Sequence, residues 1–223
     1  MKKLLHIDTS GGLAAIAISQ ELACLIEKTN DRLQDHATWI HTAIQEAATA
    51  TGISLFELDG ISVTIGPGSY TGLRVGVSTA KGLCYALQKP LLTIPTLELM
   101  ASVIPVTAGE LICPMIDARR MEVFTALYDA DCKEMQPAHA LILEATRFGT
   151  MLDKYPIVFC GDGAIKFKAI CTHANARFEN KVATAKNQIA LAHKKFTAAV
   201  FADLAYTEPL YVKEFYTPVP PSH

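Results

Sequence analysis

The sequence has no Cys-x-x-Cys pair, no block of like charge, no basic surplus and no apolar run long enough to cross a bilayer. Each absence removes a class of function. Cys24, Cys84, Cys113, Cys132, Cys160 and Cys171 are scattered, mostly through apolar segments. That pattern excludes a zinc ribbon or dithiol redox centre, and predicts reduced, buried thiols in a cytoplasmic protein. Lys and Arg number 20 against 22 Asp and Glu, a net charge of −2. A chain that grips nucleic acid unaided carries a basic excess. No stretch approaches the roughly 18–20 apolar residues of a membrane span. The opening run is broken at His6 and Asp8, so no signal peptide is expected.

Several catalytic patterns are missing as well. Lys81 lies inside a helical stretch and is followed by Gly82, so the Gly-Lys-Ser/Thr of a Walker loop is absent. Gly66-x-Gly68 is followed by Gly72, one residue too far for a dinucleotide fingerprint. Ser69 does not sit in a G-x-S-x-G elbow. His36 and His41 are five apart, about 140° around a helix, so they do not form a one-face zinc pair. Neither a metal nor a catalytic residue is expected.

What is present is a chain of 223 residues, half of it hydrophobic, enough for one large domain or two small lobes. Residues 4–7 and 13–18 read as a hairpin closed by Asp8-Thr9-Ser10-Gly11-Gly12, and residues 22–27 as a third strand. A helix is predicted from Asp35, its cap, to Gly52, with Ile40 and Ile44 on its apolar stripe. Ser54 to Glu57 reads as a capping box. Residues 111–116 and 121–129 repeat the strand–turn–strand plan around Asp117-Ala118-Arg119-Arg120. Further expectations are a strand at 91–94, a short helix capped by Thr96, a helix over 144–153, a strand at 157–160 and a helix over 186–204. The repeated plan suggests two related lobes, at 1–104 and 110–216, joined near Pro105–Gly109, with a disordered tail at 217–223. Strand–turn–strand is common, so pattern alone does not prove duplication.

The Asp8 turn, with two hydroxyls and two glycine amides, has the chemistry of a phosphate cradle. Its counterpart at Asp117 has arginines where a phosphate would need room. Both aspartates also read simply as strand-end residues. Gly161-Asp162-Gly163 is open between a phosphate or adenosine loop and a strand-to-helix turn. These residues, with Thr9 and Ser10, form a possible vestigial nucleotide site.

The most specific run is Gly66-Pro67-Gly68-Ser69-Tyr70-Thr71-Gly72-Leu73-Arg74-Val75-Gly76, which continues to Lys81-Gly82. It reads as strand, glycine-rich turn and helix to Leu87. Gly72, Gly76 and Ala80 form a small-residue stripe at i, i+4 and i+8, flanked by Leu73 and Val77, with Val75 and Thr79 on another side. Three helix glycines, each costing about 1 kcal/mol against alanine, predict close packing. The neighbour is either the protein's own sheet or a partner's helix, and a mixture is expected.

This run strongly resembles the bacterial TsaB (YeaZ) family. Ile7-Asp8-Thr9-Ser10, Ile116-Asp117-Ala118-Arg119-Arg120, Gly161-Asp162-Gly163 and Pro209-Leu210-Tyr211-Val212 also match, in order, over almost the whole chain. The resemblance implies an α/β, two-lobed actin-like ATPase fold (ribonuclease-H-like, ASKHA) with duplicated lobes. It implies a non-catalytic subunit for threonylcarbamoyladenosine in tRNA, working with a TsaD-like paralogue and a TsaE-like ATPase. tRNA would be met only within the complex, and ATP or ADP only at its interface. Family members also self-associate, so a homodimer is implied for the isolated chain, through the surface used for TsaD. On this chain that surface would be the helices 35–51 and 71–87. Its expected residues are Ile40, Ile44, Leu73, Val75, Gly76, Val77, Thr79 and Ala80. The chain departs from the family at Tyr70, often Phe, and at Val212-Lys213, usually Leu-Arg. It also lacks the paralogue's His-x-x-x-His metal pair.

Overall fold

The computed structural model describes residues 1–32 and 35–213. The expected tail at 217–223 lies outside them. The first sheet has the order β3-β2-β1-β4-β5, from Ala23–Asn30, Ala14–Gln20, Lys3–Asp8, Gly60–Gly66 and Leu91–Pro95. The second has the order β8-β7-β6-β9-β10, from Glu134–Ile142, Glu122–Tyr128, Leu111–Asp117, Ile157–Cys160 and Ala176–Glu179. In each, the first three strands run antiparallel and the last two add in parallel. The helices fall in matching places: α1 His36–Thr51 and α4 Gly149–Leu152, α2 Tyr70–Leu87 and α5 Asp162–Lys168, α3 Thr96–Ser102 and α6 Gln188–Thr197. Strand order, direction and helix placement repeat together, which the strand–turn–strand pattern alone could not establish.

Alternation along β1 explains how both faces of its sheet are covered. Leu5 and Ile7 join Ile40, Ile44, Val77 and Ala80 under α1 and α2. Leu4 joins Leu92, Leu99, Ala192 and Phe196 on the opposite face. The last helix of each half crosses over. Leu97 and Ala101 of α3 pack with Ile112, Ala126 and Val158 of the second sheet, while α6 packs on β5, β1 and β4. Residues Ala185–Thr197 therefore lie on the first sheet, within the span 110–216 that the sequence pattern groups as the second lobe.

Several elements differ from expectation. β8 and β10 were not predicted. β8 is an edge strand carrying Pro137 and an exposed polar start, so it shows little alternation. Only Gly149–Leu152 of the helix expected over 144–153 is α-helical, because Arg147 and Gly149 bond back three residues as turns. α6 stops at Thr197, since Ala199 turns left-handed (φ 53°). Val200, within the helix expected over 186–204, is exposed, and Ala202 bridges to Leu91. Asp35 precedes α1 but makes no side-chain cap, and Pro95 rather than Thr96 holds the cap position of α3. The Ser54–Glu57 capping box forms as predicted.

A buried polar network ties α6 to the sheet. His6 Nδ1 meets Ser62 Oγ at 2.7 Å and its Nε2 meets Ser19 Oγ at 2.8 Å. Ser62 donates to Gln188 Oε1, and Gln188 Nε2 donates to the Ile7 carbonyl, both at 2.8 Å. Burial lowers the His6 pKa to about 3, so the ring is neutral in the fold. Unfolded histidine protonates near pH 6.5. Stability is therefore full above that pH and falls as the unfolded state takes up the proton, by about 1.4 kcal/mol per pH unit. Urea unfolding between pH 7 and 5, above the carboxylate range, should show this decline. His6→Gln should be less stable at pH 7 yet lose most of the slope; an unchanged slope would assign it elsewhere.

Candidate functional site: the helical face and the inter-sheet cleft

The glycine run is built around one close approach. A Cβ on Gly72 would lie 2.0 Å from the Thr9 carbonyl oxygen, on Gly68 2.2 Å from the Ser10 carbonyl oxygen, and on Gly76 2.3 Å from Thr9 Oγ1. The backbone of α2 thus rests on the turn after β1. Two hydrogen bonds lock the contact: Thr9 Oγ1 donates to the Gly72 carbonyl at 2.6 Å and Ser69 N–H to the Ser10 carbonyl at 2.7 Å. Ser69 caps α2 by accepting from Gly72 N–H. Pro67 is buried behind the turn.

The C-terminal segment docks on the same run. Leu210 N–H donates to the Ile65 carbonyl at 2.6 Å, and a Cβ on Gly66 would lie 2.7 Å from the Leu210 carbonyl oxygen. Gly66 also has a φ of 115°, which favours glycine. Arg74 lies over the Tyr70 ring at 4.0 Å, and its Nε donates to the Tyr211 hydroxyl at 3.3 Å. The Tyr70 and Tyr211 ring centroids are 5.4 Å apart. Lys81 Nζ donates to the carbonyls of Ala205 and Thr207. Thr71 is exposed beside this cluster. Two motifs far apart in sequence are thus one structural unit, which local periodicity could not reveal.

This packing corrects the expected partner surface. Ile40, Ile44, Leu73, Val77, Thr79 and Ala80 are each at most 8% exposed. Gly76 is sealed by Thr9, and Val75 alone is partly open. The stripe faces the protein's own sheet and turn, so it is not offered to a partner. The outer faces carry other residues: His41, Thr42, Gln45 and Glu46 on α1, and Ser78, Gly82, Tyr85 and Ala86 on α2. Tyr85 is 73% exposed, and a Cβ on Gly82 would meet nothing within 4 Å.

The second feature is a cleft of about 240 Å³ between the two sheets. Asp8, Ser10, Gly11, Gly12 and Thr96 line one side, and Ile116, Gly161, Asp162, Ile165 and Lys181 the other. Asp8 Oδ1 accepts from Ser10 N–H, Ser10 Oγ and Thr64 Oγ1 at 2.7–3.0 Å. Burial nevertheless pushes this carboxyl above its ordinary range, against the pull of those bonds. Asp117 is bound otherwise. Lys166 Nζ lies 2.6 Å from its Oδ1 and, by that hydrogen bond, holds it below the usual carboxylate range. Arg119, Arg120 and Met121 hold φ of 70°, 44° and 57°, so no glycine opens the turn to a ligand. At Gly161 (φ 91°) a Cβ would lie 2.4 Å from both Met100 Cε and the Met115 carbonyl oxygen, and Gly163 is closed by Val123 and Met115. Asp162 Oδ1 accepts from Asp117 N–H.

The fit to a magnesium nucleotide is therefore poor. Thr9 is committed to Gly72, Asp117 to Lys166, and the space beside Gly161 to methionine. Asp8, Ser10, Gly161 and Asp162 do come together, whereas Thr9, Asp117 and Gly163 do not line the cleft. Thr96, Met100 and Ile165 complete it and were not singled out from the sequence. Their signal, a position just past a strand or on a neighbouring helix, becomes readable only once the sheets are assembled.

The family model for TsaD, tRNA N6-adenosine threonylcarbamoyltransferase, matches residues 30–215. The chain belongs to this family. Within it, the chain is 35% identical over 125 residues to the Bacillus subtilis tRNA threonylcarbamoyladenosine biosynthesis protein TsaB, covering 56% of this chain and 54% of that protein. The chain thus spans about half the length of this TsaB relative. It is 48% identical over 63 residues to the Geotalea uraniireducens tRNA N6-adenosine threonylcarbamoyltransferase, covering 28% of this chain and 18% of that enzyme. A Pseudomonas aeruginosa crystal structure with similarity to peptidase YEAZ superposes with a TM-score of 0.81 at 22% identity, over 96% of this chain and all of that one. The TsaB (YeaZ) resemblance holds, and so does the α/β fold with two similar halves.

The glycine contact is open to test. Gly72→Ala would drive a methyl group into the Thr9 carbonyl, an overpacking cost of about 1–3 kcal/mol or more. Gly82→Ala, in open space, should instead stabilise by up to about 1 kcal/mol. Urea midpoints of the two variants should move in opposite directions.

Proposed function

We propose that this chain is a non-catalytic subunit for making threonylcarbamoyladenosine in tRNA, and that it binds and activates a TsaD-type transferase. Membership of the family, with TsaB among the similar relatives, supports the pathway. The observation that carries the binding role is the outer face of α2. Gly82 sits in a helix with nothing near its missing Cβ, so internal packing does not account for it. Beside it, Tyr85 is left 73% exposed. A bare backbone patch next to an exposed tyrosine suits the close approach of a second helix, with the aromatic ring as anchor.

On this reading the interface is the outer face of α1 and α2, about 1,000 Å² or more in total. A TsaE-type ATPase completes the assembly, tRNA is met only within it, and any nucleotide sits at the interface between subunits. The isolated chain pairs with itself through the same face, in the cytoplasm. Among the described residues, no cluster of His, Cys, Asp and Glu could hold a metal ion. A second reading, an actin-like-fold ATPase or small-molecule kinase, would need Asp117 and the space beside Gly161, which Lys166 and Met100 occupy.

Reconstituted tRNA modification, with and without this chain, tests the role. Gly82→Leu and Tyr85→Ala should fold normally, bind a TsaD-type partner at least about tenfold more weakly and lower modification in step. Full binding and modification by both variants would rule out this face.

A further inference from the structure

The turn between β6 and β7 carries two arginines that neither the cleft nor the helical face uses. Arg119, Arg120 and Met121 are all exposed. Their φ values are positive at three consecutive positions, with no glycine among them. Such a backbone costs stability that glycine would spare, so the fold keeps these side chains at a cost. The turn is also held from several sides. Ala118 N–H donates to the Glu122 carbonyl at 2.9 Å and Glu122 N–H to the Arg119 carbonyl at 2.8 Å. Arg119 N–H donates to Asp117 Oδ1 at 2.6 Å, and Leu143 N–H to the Met121 carbonyl at 2.7 Å. A contact made on so fixed a backbone requires little further ordering.

The charge of the turn is uneven. Lys166 pairs with Asp117, and Lys213 with Glu122. Lysines therefore take up the acids that flank the arginines. Asp117 senses Arg119 less than it senses Lys166, and Asp162, the acid beside it, accepts from Asp117 N–H. Neither arginine side chain has a hydrogen bond or ion pair among the described residues. Lys213 also connects the turn to a second cationic feature. Tyr211, two residues before it and so at most about 7 Å away along the backbone, meets Tyr70 and Arg74.

Guanidinium forks match phosphate oxygens in pairs, and aromatic rings beside an arginine suit bases. A membrane surface takes clusters of about four to eight basic residues, more than this turn supplies. We propose that the Arg119–Arg120 turn contacts the phosphate backbone of RNA, here the tRNA held by the assembly, with the Tyr70, Arg74 and Tyr211 cluster adjoining it. Two phosphate contacts are too few to hold RNA at physiological salt, which agrees with a chain of net charge −2. The inference rests on the proposed role in tRNA modification, but not on which helical face binds the partner.

Met121, next to Arg120, reports on the site. Its methyl signal is followed by NMR in the full chain at low salt, where phosphate contacts are strongest. tRNA should shift it saturably, and poly-glutamate of equal charge at least about tenfold more weakly. The Arg119→Gln/Arg120→Gln double variant should keep the urea midpoint and lose the shift. In the assembly with a TsaD-type partner, it should bind tRNA about tenfold more weakly. The slope of log affinity against log salt should shrink by about 1.4, two phosphates at about 0.7 each. Lysine at both positions should restore the slope but not the full affinity, since an ammonium lacks the fork. The proposal is overturned if tRNA leaves Met121 unmoved, if poly-glutamate binds as tightly, or if the double glutamine variant keeps the wild-type slope. A partner that fails to assemble with the wild-type chain would sink the binding role instead, and the Met121 titration would still decide this site.

Discussion

The contact between the α2 backbone and the turn after β1 governs the rest of this structure. At Gly68, Gly72 and Gly76 the helix and its entry loop come so near Thr9 and Ser10 that no side chain fits between them. Any larger residue would push α2 off the sheet, and Val77 and Ala80 would leave the core they share with Ile40, Ile44 and Val63. The same approach turns the Thr9 hydroxyl toward Gly72, and so away from the cleft. It also holds the start of α2 where Tyr70 and Arg74 meet Tyr211. One steric condition therefore sets the core, the orientation of the turn and the seat of the C-terminal segment.

Duplication explains the cleft, and divergence explains its present chemistry. The two halves share sheet order and helix placement, and their exchanged helices, α3 and α6, bring the ends of β1 and β6 face to face. In a symmetric ancestor the aspartates at those ends would be equivalent. Here they are not. Asp8 is buried, with a carboxylate oxygen that accepts no bond from the described residues, whereas Asp117 is exposed and paired with Lys166. A paired carboxylate on one side and an incompletely satisfied one on the other cannot act as a symmetric metal clamp. They can make a one-sided, mainly aliphatic pocket.

Much of the first sheet was legible in the sequence because its signals are local. The strand, turn and helix from Ile61 to Leu87 and the Ser54–Glu57 capping box are fixed by residues within a few positions of one another. The second half was harder to read. β8 carries a proline on an exposed edge, β10 is four residues long, and α6 ends at a left-handed alanine with no glycine to announce it. The most instructive error concerns the small-residue stripe. Spacing at i and i+4 shows that Gly72 and Gly76 share a face, but not what that face meets. The answer depends on Thr9, more than 60 positions away, and enters only through tertiary structure.

That error also sharpens what a glycine can reveal. Gly76 and Gly82 lie on one helix and carry the same intrinsic cost, about 1 kcal/mol against alanine. At Gly76 the fold itself requires the missing side chain, because Thr9 Oγ1 stands 2.3 Å from where Cβ would be. At Gly82 the isolated chain requires nothing, since that space is empty. An internal reason for Gly76 removes it from the interface, and the lack of one at Gly82 is what directs attention to the outer face. Helical position, burial and the space around each missing Cβ together separate a glycine that builds the protein from one left for a neighbour.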